Sequence, residues 1–490
     1  MNVIKYIAAS VMTILLIITA IVLFNTFNSK PDSAKAEKPA DIEIDEKGAV
    51  SRFAKALTFK TIASKDPEKF PKSEYLGFQL FLADSFPLVH SRLKKEVVGG
   101  HSLLYTWQGE DATKKPILFM GHQDKVPIAP GTLDKWTHPP FSGTVADGFI
   151  WGRGAIDNKS GVMGLLESVE NLLKHGFTPE QKIYLFFGHD EEIGGNGGAL
   201  KAVELLKARG VELDYVLDEG GIITDKMFPG IDNPVAIIGI AEKGYISLEL
   251  IVEGRGGHSS MPPKETTVGI LSRAITSLEE NPFKPRLDGA AGFMFKKLTP
   301  YMPFYERMGL ANLWLFECFA LGRITKSTSA NAMVRTTTAP TMLEGSNKEN
   351  VLAAKAKAVV NFRVLPGDTT DTVLKKVTEV IDDERVKIVP GALRINPSPV
   401  SDINTPFYKV IEKSIRQHTD GNVITAPYLV VGATDSRHFI PLTSNIYKFM
   451  GITLTSDNLK GFHGTNEKLS VDEYVRAVKI YYQIIRNLNE

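Results

Sequence analysis

The stretch FFGHDEEIGG, residues 186–195, ends an apolar run on Asp190, Glu191 and Glu192. Adjacent carboxylates repel, so this tip is either solvated or held by a cation. Two other apolar runs end in the same way. ILFMG leads into His122, Gln123 and Asp124, and DYVL leads into Asp218 and Glu219. Asp157 lies in the glycine-flanked GRGAIDNKSG, and His463 in FHGTNE late in the chain. Singly, a loop His or Asp reads as a cap or a surface residue. Together they are imidazoles and carboxylates of the kind that surround a divalent metal. The only cysteine is Cys318, which rules out an intrachain disulfide and a cysteine-based zinc knuckle. A His/carboxylate set suits a catalytic zinc site, with Co2+ or Mn2+ as substitutes.

These residues meet only if neighbouring strands carry them to one edge. Apolar strand patterns at 116–121, 182–188 and 214–218 alternate with helical patterns at 160–176 and 199–210. Strand–helix–strand order implies parallel pairing, and parallel strands present their carboxyl ends to ligands. Near Glu242 the pattern changes. Residues 243–254 alternate at Ile246, Leu248, Leu250 and Val252, which predicts a strand with one wet face. A strand at 355–368, a helix in TTDTVLKKVTEVIDD and a strand at VKIVP follow. The fold class expected is α/β. A catalytic domain at 49–241 and 399–490, with a mostly parallel sheet between helices, is interrupted by an α+β domain at 242–398. That insert contains an apolar segment at 283–328. Its core, 293–323, is rich in Phe, Leu, Met and Trp, and reads either as ordinary core or as the wall of a greasy ligand's pocket.

The net charge of +1 argues against nucleic acid as a partner. Lys5 is followed by apolar residues 6–24, with no further charge until Lys30. That run is long enough to span a bilayer, and Lys5 favours a cytoplasmic N-terminus. The segment 1–27 is expected to be an uncleaved signal-anchor or, with the small-x-small triplet at 34–36, a cleaved signal peptide. Either way the remainder is exported, and the charged, Pro-containing residues 28–48 read as a flexible tether.

In order, GHQDKVP, GRGAIDNKSG, HDEEIGG, LDEGG, RGGHSSMPP, NFRVLPGD and HGTNE resemble the motifs of the co-catalytic dinuclear zinc peptidases and deacylases. That family includes aminoacylase, acetylornithine deacetylase and glutamate carboxypeptidase. NLWLFE, SANAMVRTTTAPTM and VGATDSRHF resemble the branch of carboxypeptidase S and the secreted N-fatty-acyl-amino-acid synthase/hydrolase. The resemblance implies a zinc-peptidase-like catalytic domain with a lid, and two Zn2+ per subunit. It places His122 and Asp218 on one metal, Glu192 and His463 on the other, and Asp157 between them. Family members use Asp or Glu at the Asp218 position, and Glu219 follows directly. Glu191 would be the general base, which needs a bend at Gly194 and Gly195 to share a site with Glu192. Asp124 would fix the tautomer of His122. His258 would stabilise an oxyanion after domain closure, supplied in dimeric relatives by the partner subunit. Asn331, Arg363 and Arg437 are candidates to hold the substrate's carboxylate or carbonyl.

The activity implied is hydrolysis, with formation as its reverse, of the amide of N-acyl and above all N-fatty-acyl amino acids. A carboxypeptidase or dipeptidase acting on short peptides is the alternative. A non-catalytic binding protein is remote, because all the motif residues are intact. A nicotinamide enzyme is disfavoured, since GRGAIDNKSG lacks G-x-G-x-x-G spacing after a strand. A homodimer through the lid is left open.

Overall fold

The computed structural model describes residues 2–31, 39, 42–419 and 422–490. Positions 32–38, 40 and 41 of the expected tether lie outside them, and so does the triplet at 34–36.

A ten-stranded mixed sheet forms the large body. At its centre Ile183–Gly188, Ile117–His122, Tyr215–Asp218 and Ile446–Lys448 run parallel. Both faces of these strands are covered, so alternate side chains enter different cores. Phe119 packs with Val162 and Leu166 of the helix Lys159–Lys174. Leu118 and Met120 pack with Ala199 and Ala202 of the helix Ala199–Ala208. Polar residues at the strands' carboxyl ends therefore have only the sheet edge to occupy. Beyond Ile446–Lys448 the strand Val235–Glu242 runs antiparallel, with Gly239 opposite Lys448. Ile424–Val430 pairs parallel to it.

The second sheet is antiparallel throughout, with Thr337–Glu344, Lys355–Val364, Gly244–Glu253 and Val386–Ile395 side by side. Ile246, Leu248, Leu250 and Val252 are buried together with residues of the helices Thr267–Glu280 and Thr370–Ile381. Their alternates are half-exposed, as the period-two pattern predicts. The first and last chain crossings between the bodies are tied to each other. Glu242 N donates to Ser398 Oγ at 2.8 Å, and Ser398 N to Glu242 O at 3.1 Å.

The apolar segment at 283–328 differs from expectation. It was assigned to the lid, but Ala290, Met294, Phe295 and Leu298 of the helix Gly289–Leu298 join the core of the large sheet. The lid core is already closed by its own two helices, so the apolar surface of the segment pairs with the catalytic body instead. Two more helices follow, Phe304–Ala311 and Leu313–Ile324.

Among the described residues one helix is long and apolar enough to cross a membrane. It is Val3–Asn28, with mean hydropathy 2.8. Its last turns pack on the segment just named. Asn25 Nδ2 donates to Asn312 Oδ1 at 2.9 Å, and Asn312 Nδ2 to Val22 O at 3.1 Å. The Phe27 and Phe304 rings lie 6.0 Å apart.

Candidate metal centre

Asp157 stands between two histidines. Its Oδ1 is 2.8 Å from His122 Nε2 and its Oδ2 is 2.8 Å from His463 Nε2. Glu219 Oε1 lies 3.2 Å from His122 Nε2, and Glu192 Oε2 lies 3.4 Å from His463 Nε2. Two ligand clusters result, His122/Asp157/Glu219 and Asp157/Glu192/His463, each with its donor atoms within 4.8 Å of one another.

The expected assignment of Asp218 is corrected here. Successive side chains on a strand point opposite ways. Asp218 turns away from His122, and its Oδ2 accepts from Thr434 Oγ1 at 2.7 Å and Ser436 N at 3.0 Å. Glu219 takes the place at His122, and Asn158 Nδ2 donates to its Oε2. We expect Glu219→Ala to lose one metal equivalent and Asp218→Ala to keep two, read by metal analysis after dialysis. Full metal content in the Glu219 variant would reverse the correction.

The supporting residues explain why the donors face inward. His122 Nδ1 is 3.2 Å from Asp124 Oδ1 and 3.1 Å from Asp124 O, both acceptors. That nitrogen therefore carries the proton, and Nε2 is left for a cation. Asp124 Oδ2 also accepts from Glu192 N at 3.0 Å. Arg153 and Glu467 interlock two motifs. Arg153 Nη1 donates to Glu467 Oε2 at 2.6 Å, and Nη2 to Gly464 O at 2.7 Å and His463 O at 3.2 Å. Glu467 accepts in turn from the backbone N–H groups of Gly154, Ile156 and Asp157. His463 sits at φ +57, a conformation that costs about 1–2 kcal/mol for a residue with a Cβ. The Arg153 bond to its carbonyl helps to hold it there.

The three consecutive acids are not equivalent. Asp190 Oδ2 accepts from Gly197 N at 2.6 Å. Glu191–Ile193 is a single 3-10 turn, closed by Gly194 at φ +113 and Gly195 at φ +68. A Cβ on Gly195 would fall 1.9 Å from Asp435 Oδ1, so glycine is required twice over. The turn sends Glu192 to His463 and leaves Glu191 in neither ligand cluster. Burial holds the Glu191 carboxyl well above the usual carboxylate range. His122 opposes this, and Glu219, Asp435 and Asp157 add to it.

The donor set fits two divalent cations. Three carboxylates face two imidazoles, and the buried Glu192 Oε1 has no protein partner. Protons fill the same electrostatic role in the bare protein. Hydrogen bonds to Asp157 and Glu192 raise His463 to about 10, and burial pushes Glu219 up to about 7. His463 therefore stabilises the metal-free fold fully below about 6.5, its ordinary value, and that contribution is lost as pH rises through about 10. A metal cation that binds there must displace the His463 proton. At pH 8 metal uptake is expected to release at least one proton, because His463 and His122 both hold theirs above the usual histidine range. Calorimetry in two buffers of different ionisation enthalpy reads this, and identical heats in both at pH 8 would contradict it.

The remaining candidates lie apart from the clusters. His258 is exposed on the lid strand Gly257–His258, with Nδ1 2.8 Å from Ser260 Oγ. The Arg363 guanidinium stacks 5.0 Å over the Tyr245 ring. Asn331 is half-buried in the helix Thr328–Val334. Arg437, expected to meet substrate, is instead a brace. It donates to Thr434 O at 2.8 Å and Gly194 O at 2.7 Å, which ties down the Glu191 turn. Asn158, Arg153, Glu467 and Asp435 went unnoticed in the sequence. All but Asp435 lie in the motifs around Asp157 and His463, and their charges and spacing were the available signal.

The sequence pattern of Peptidase family M20/M25/M40 matches residues 118–487. The chain belongs to that family. It is a metallohydrolase, and its mixed α/β sheet is the M20 fold. The M20 chain is 42% identical over 453 residues to the probable carboxypeptidase S-like 2 of Dictyostelium discoideum, covering 91% of this chain and 85% of that one. It is 38% identical over 484 residues to the N-fatty-acyl-amino acid synthase/hydrolase PM20D1 of Xenopus tropicalis, covering 96% and 93%. Among solved structures, the M20 metallo-carboxypeptidase Sso-CP2 from Sulfolobus solfataricus superposes with a TM-score of 0.66 at 18% identity, over 90% of this chain and 99% of that one. That last likeness speaks to the fold alone.

Proposed function

We propose that this M20 chain is a two-zinc amidohydrolase that cleaves, and in reverse forms, the amide of N-fatty-acyl amino acids. The observation that carries the reading is an apolar cavity of about 610 Å3 whose walls include residues of the large sheet that bears the metal ligands. Phe228, Ile237, Phe295, Leu310, Phe319 and Met333 are among its walls. Pockets of 300–1,000 Å3 hold ligands of this size class. Thr224 also lines it and follows Glu219 by five residues, so the cavity begins within about 17 Å of that ligand along an extended chain. Such a space suits an acyl tail, and a short polar peptide would leave it unfilled.

His122, Glu219, Asp157, Glu192 and His463 would hold the metals. Bound zinc would polarise the amide carbonyl and acidify a water. Glu191 takes a proton from the attacking water at its carboxylate and returns it to the leaving nitrogen as the C–N bond breaks. Asn331 shares its helix with the cavity residues Ala330 and Met333. Asn331 and the lid's Arg363 are assigned to the substrate's carboxylate, which an Arg fork matches. His258 touches neither cluster and serves only when a lid, its own or a partner subunit's, swings over the site. The helix Asn2–Asn28 anchors the exported chain in a membrane.

A carboxypeptidase is the second reading, favoured by the name of the Dictyostelium relative. Rates on a long-chain N-acyl phenylalanine and on a Gly-containing dipeptide, with Glu191→Gln as blank, separate the two. Faster acyl cleavage is expected. Faster dipeptide cleavage would make the chain a peptidase.

A further inference from the structure

The helix Leu313–Ile324, LWLFECFALGRI, is apolar nearly all round, yet Ala320 is its only buried residue. Its neighbour Phe304–Ala311 buries none. A helix apolar on every side normally lies inside a core or a membrane. Here Tyr305 is 77% exposed, Phe319 70%, Trp314 57% and Leu315 45%. Nothing within the described chain covers them.

The covering partner is indicated by what stands next to the pair. Asn312, the residue between the two helices, is fully buried against the last turns of the apolar N-terminal helix. Its Nδ2 donates to Val22 O and reaches Thr26 Oγ1 at 3.3 Å. Phe27 lies against Phe304. The contact is made where the apolar run ends, shortly before Lys30, so it falls at the edge of any bilayer that this helix crosses. Lipid that surrounds those last turns reaches the exposed helix pair as well. Trp, Tyr, Phe and Leu on a short helix are the composition of an interfacial segment. Tyr305 and Phe319 also line the acyl cavity, so its mouth lies in the same patch.

We infer that the helices Phe304–Ala311 and Leu313–Ile324 rest in the lipid surface from which the N-terminal helix emerges, and that the cavity admits acyl chains from that surface without passage through bulk water. The inference rests on the anchor and acyl-substrate readings proposed above.

The chain supplies its own probe. Cys318 is the only cysteine, is exposed, and lies on the second helix. The full chain in phosphatidylcholine vesicles, labelled at Cys318 with a fluorophore, should be quenched by nitroxide-bearing lipid. The same label at Ser346→Cys on the exposed lid turn, in a Cys318→Ser background, should not. Equal quenching at both sites, or none at Cys318, overturns lipid contact. So does loss of dimer in Trp314→Glu/Leu315→Glu, which would show that a second copy covers the pair. Recovery of the chain free of vesicles overturns the anchor reading, and the inference with it. For lateral entry, the same double variant should lose about tenfold in kcat/KM on a long-chain N-acyl amino acid held in vesicles. Its rate on a water-soluble N-acetyl amino acid should be unchanged. Equal rates for variant and wild type on the vesicle substrate would overturn lateral entry. Quenching at Cys318 with no acyl turnover by wild type would support the lipid contact and remove the proposed substrate.

Discussion

Glu191→Gln should lower turnover by about 10²–10⁴-fold while two metals remain bound. Glutamine keeps the size and shape of the side chain, so the Glu191–Ile193 turn and its closure by Gly194 and Gly195 survive. The ligand clusters do not include Glu191, so its charge is not needed to hold a cation. In the role proposed for Glu191, the amide lacks the basic oxygen that would take the proton from water and give it to nitrogen. Metal analysis and kcat, measured on one preparation, test both halves. Loss of a metal equivalent would move Glu191 into the ligand set.

Glu467→Gln should cost about 3–5 kcal/mol of stability, the usual effect of removing one partner from a buried ion pair. Arg153 is 2% exposed and would keep its charge with no counter-ion. The pair is not in itself evidence of high stability. Burial keeps the Glu467 carboxyl above its usual range in spite of Arg153. Replacing both residues by apolar ones should not recover that loss, because the buried N–H groups of Gly154, Ile156 and Asp157 lose their acceptor. The double variant should also bind a metal poorly at His463, because Asp157 N and the His463 carbonyl both lose a partner. Denaturant unfolding of the single and double variants reads the energies. A single variant within about 1 kcal/mol of wild type, the range of an exposed pair, would refute the brace.

The sequence made the strand ends legible because parallel strands gather their carboxyl termini at one edge, and acidic tips on three apolar runs are hard to explain otherwise. It could not show which way each tip faces. Leu217 enters the core beneath the helix Lys159–Lys174, and Val216 enters the opposite one. That alternation carries Glu219, and not Asp218, to Asn158 and His122, and the spacing of two adjacent acids contains no trace of it. The lid's period-two strands were equally legible, since one face is wet. The apolar character of residues 283–328 was plain, but not the body they pack on, because composition records burial without naming the partner. Arg437 is only a candidate for substrate in the sequence for the same reason. Its acceptors are backbone carbonyls, one of them Gly194 O, and carbonyls leave no mark in a sequence.

Met294 and Phe295 line the cavity and are packed into the body that carries Asp157 and Glu219. The chain also passes between lid and body on either side of the segment 283–328, and the helix Thr328–Val334 on the return side carries the cavity walls Ser329, Ala330 and Met333. Under the proposed function, the length of an acyl tail is gauged between two walls and a set of ligands that stand on one body.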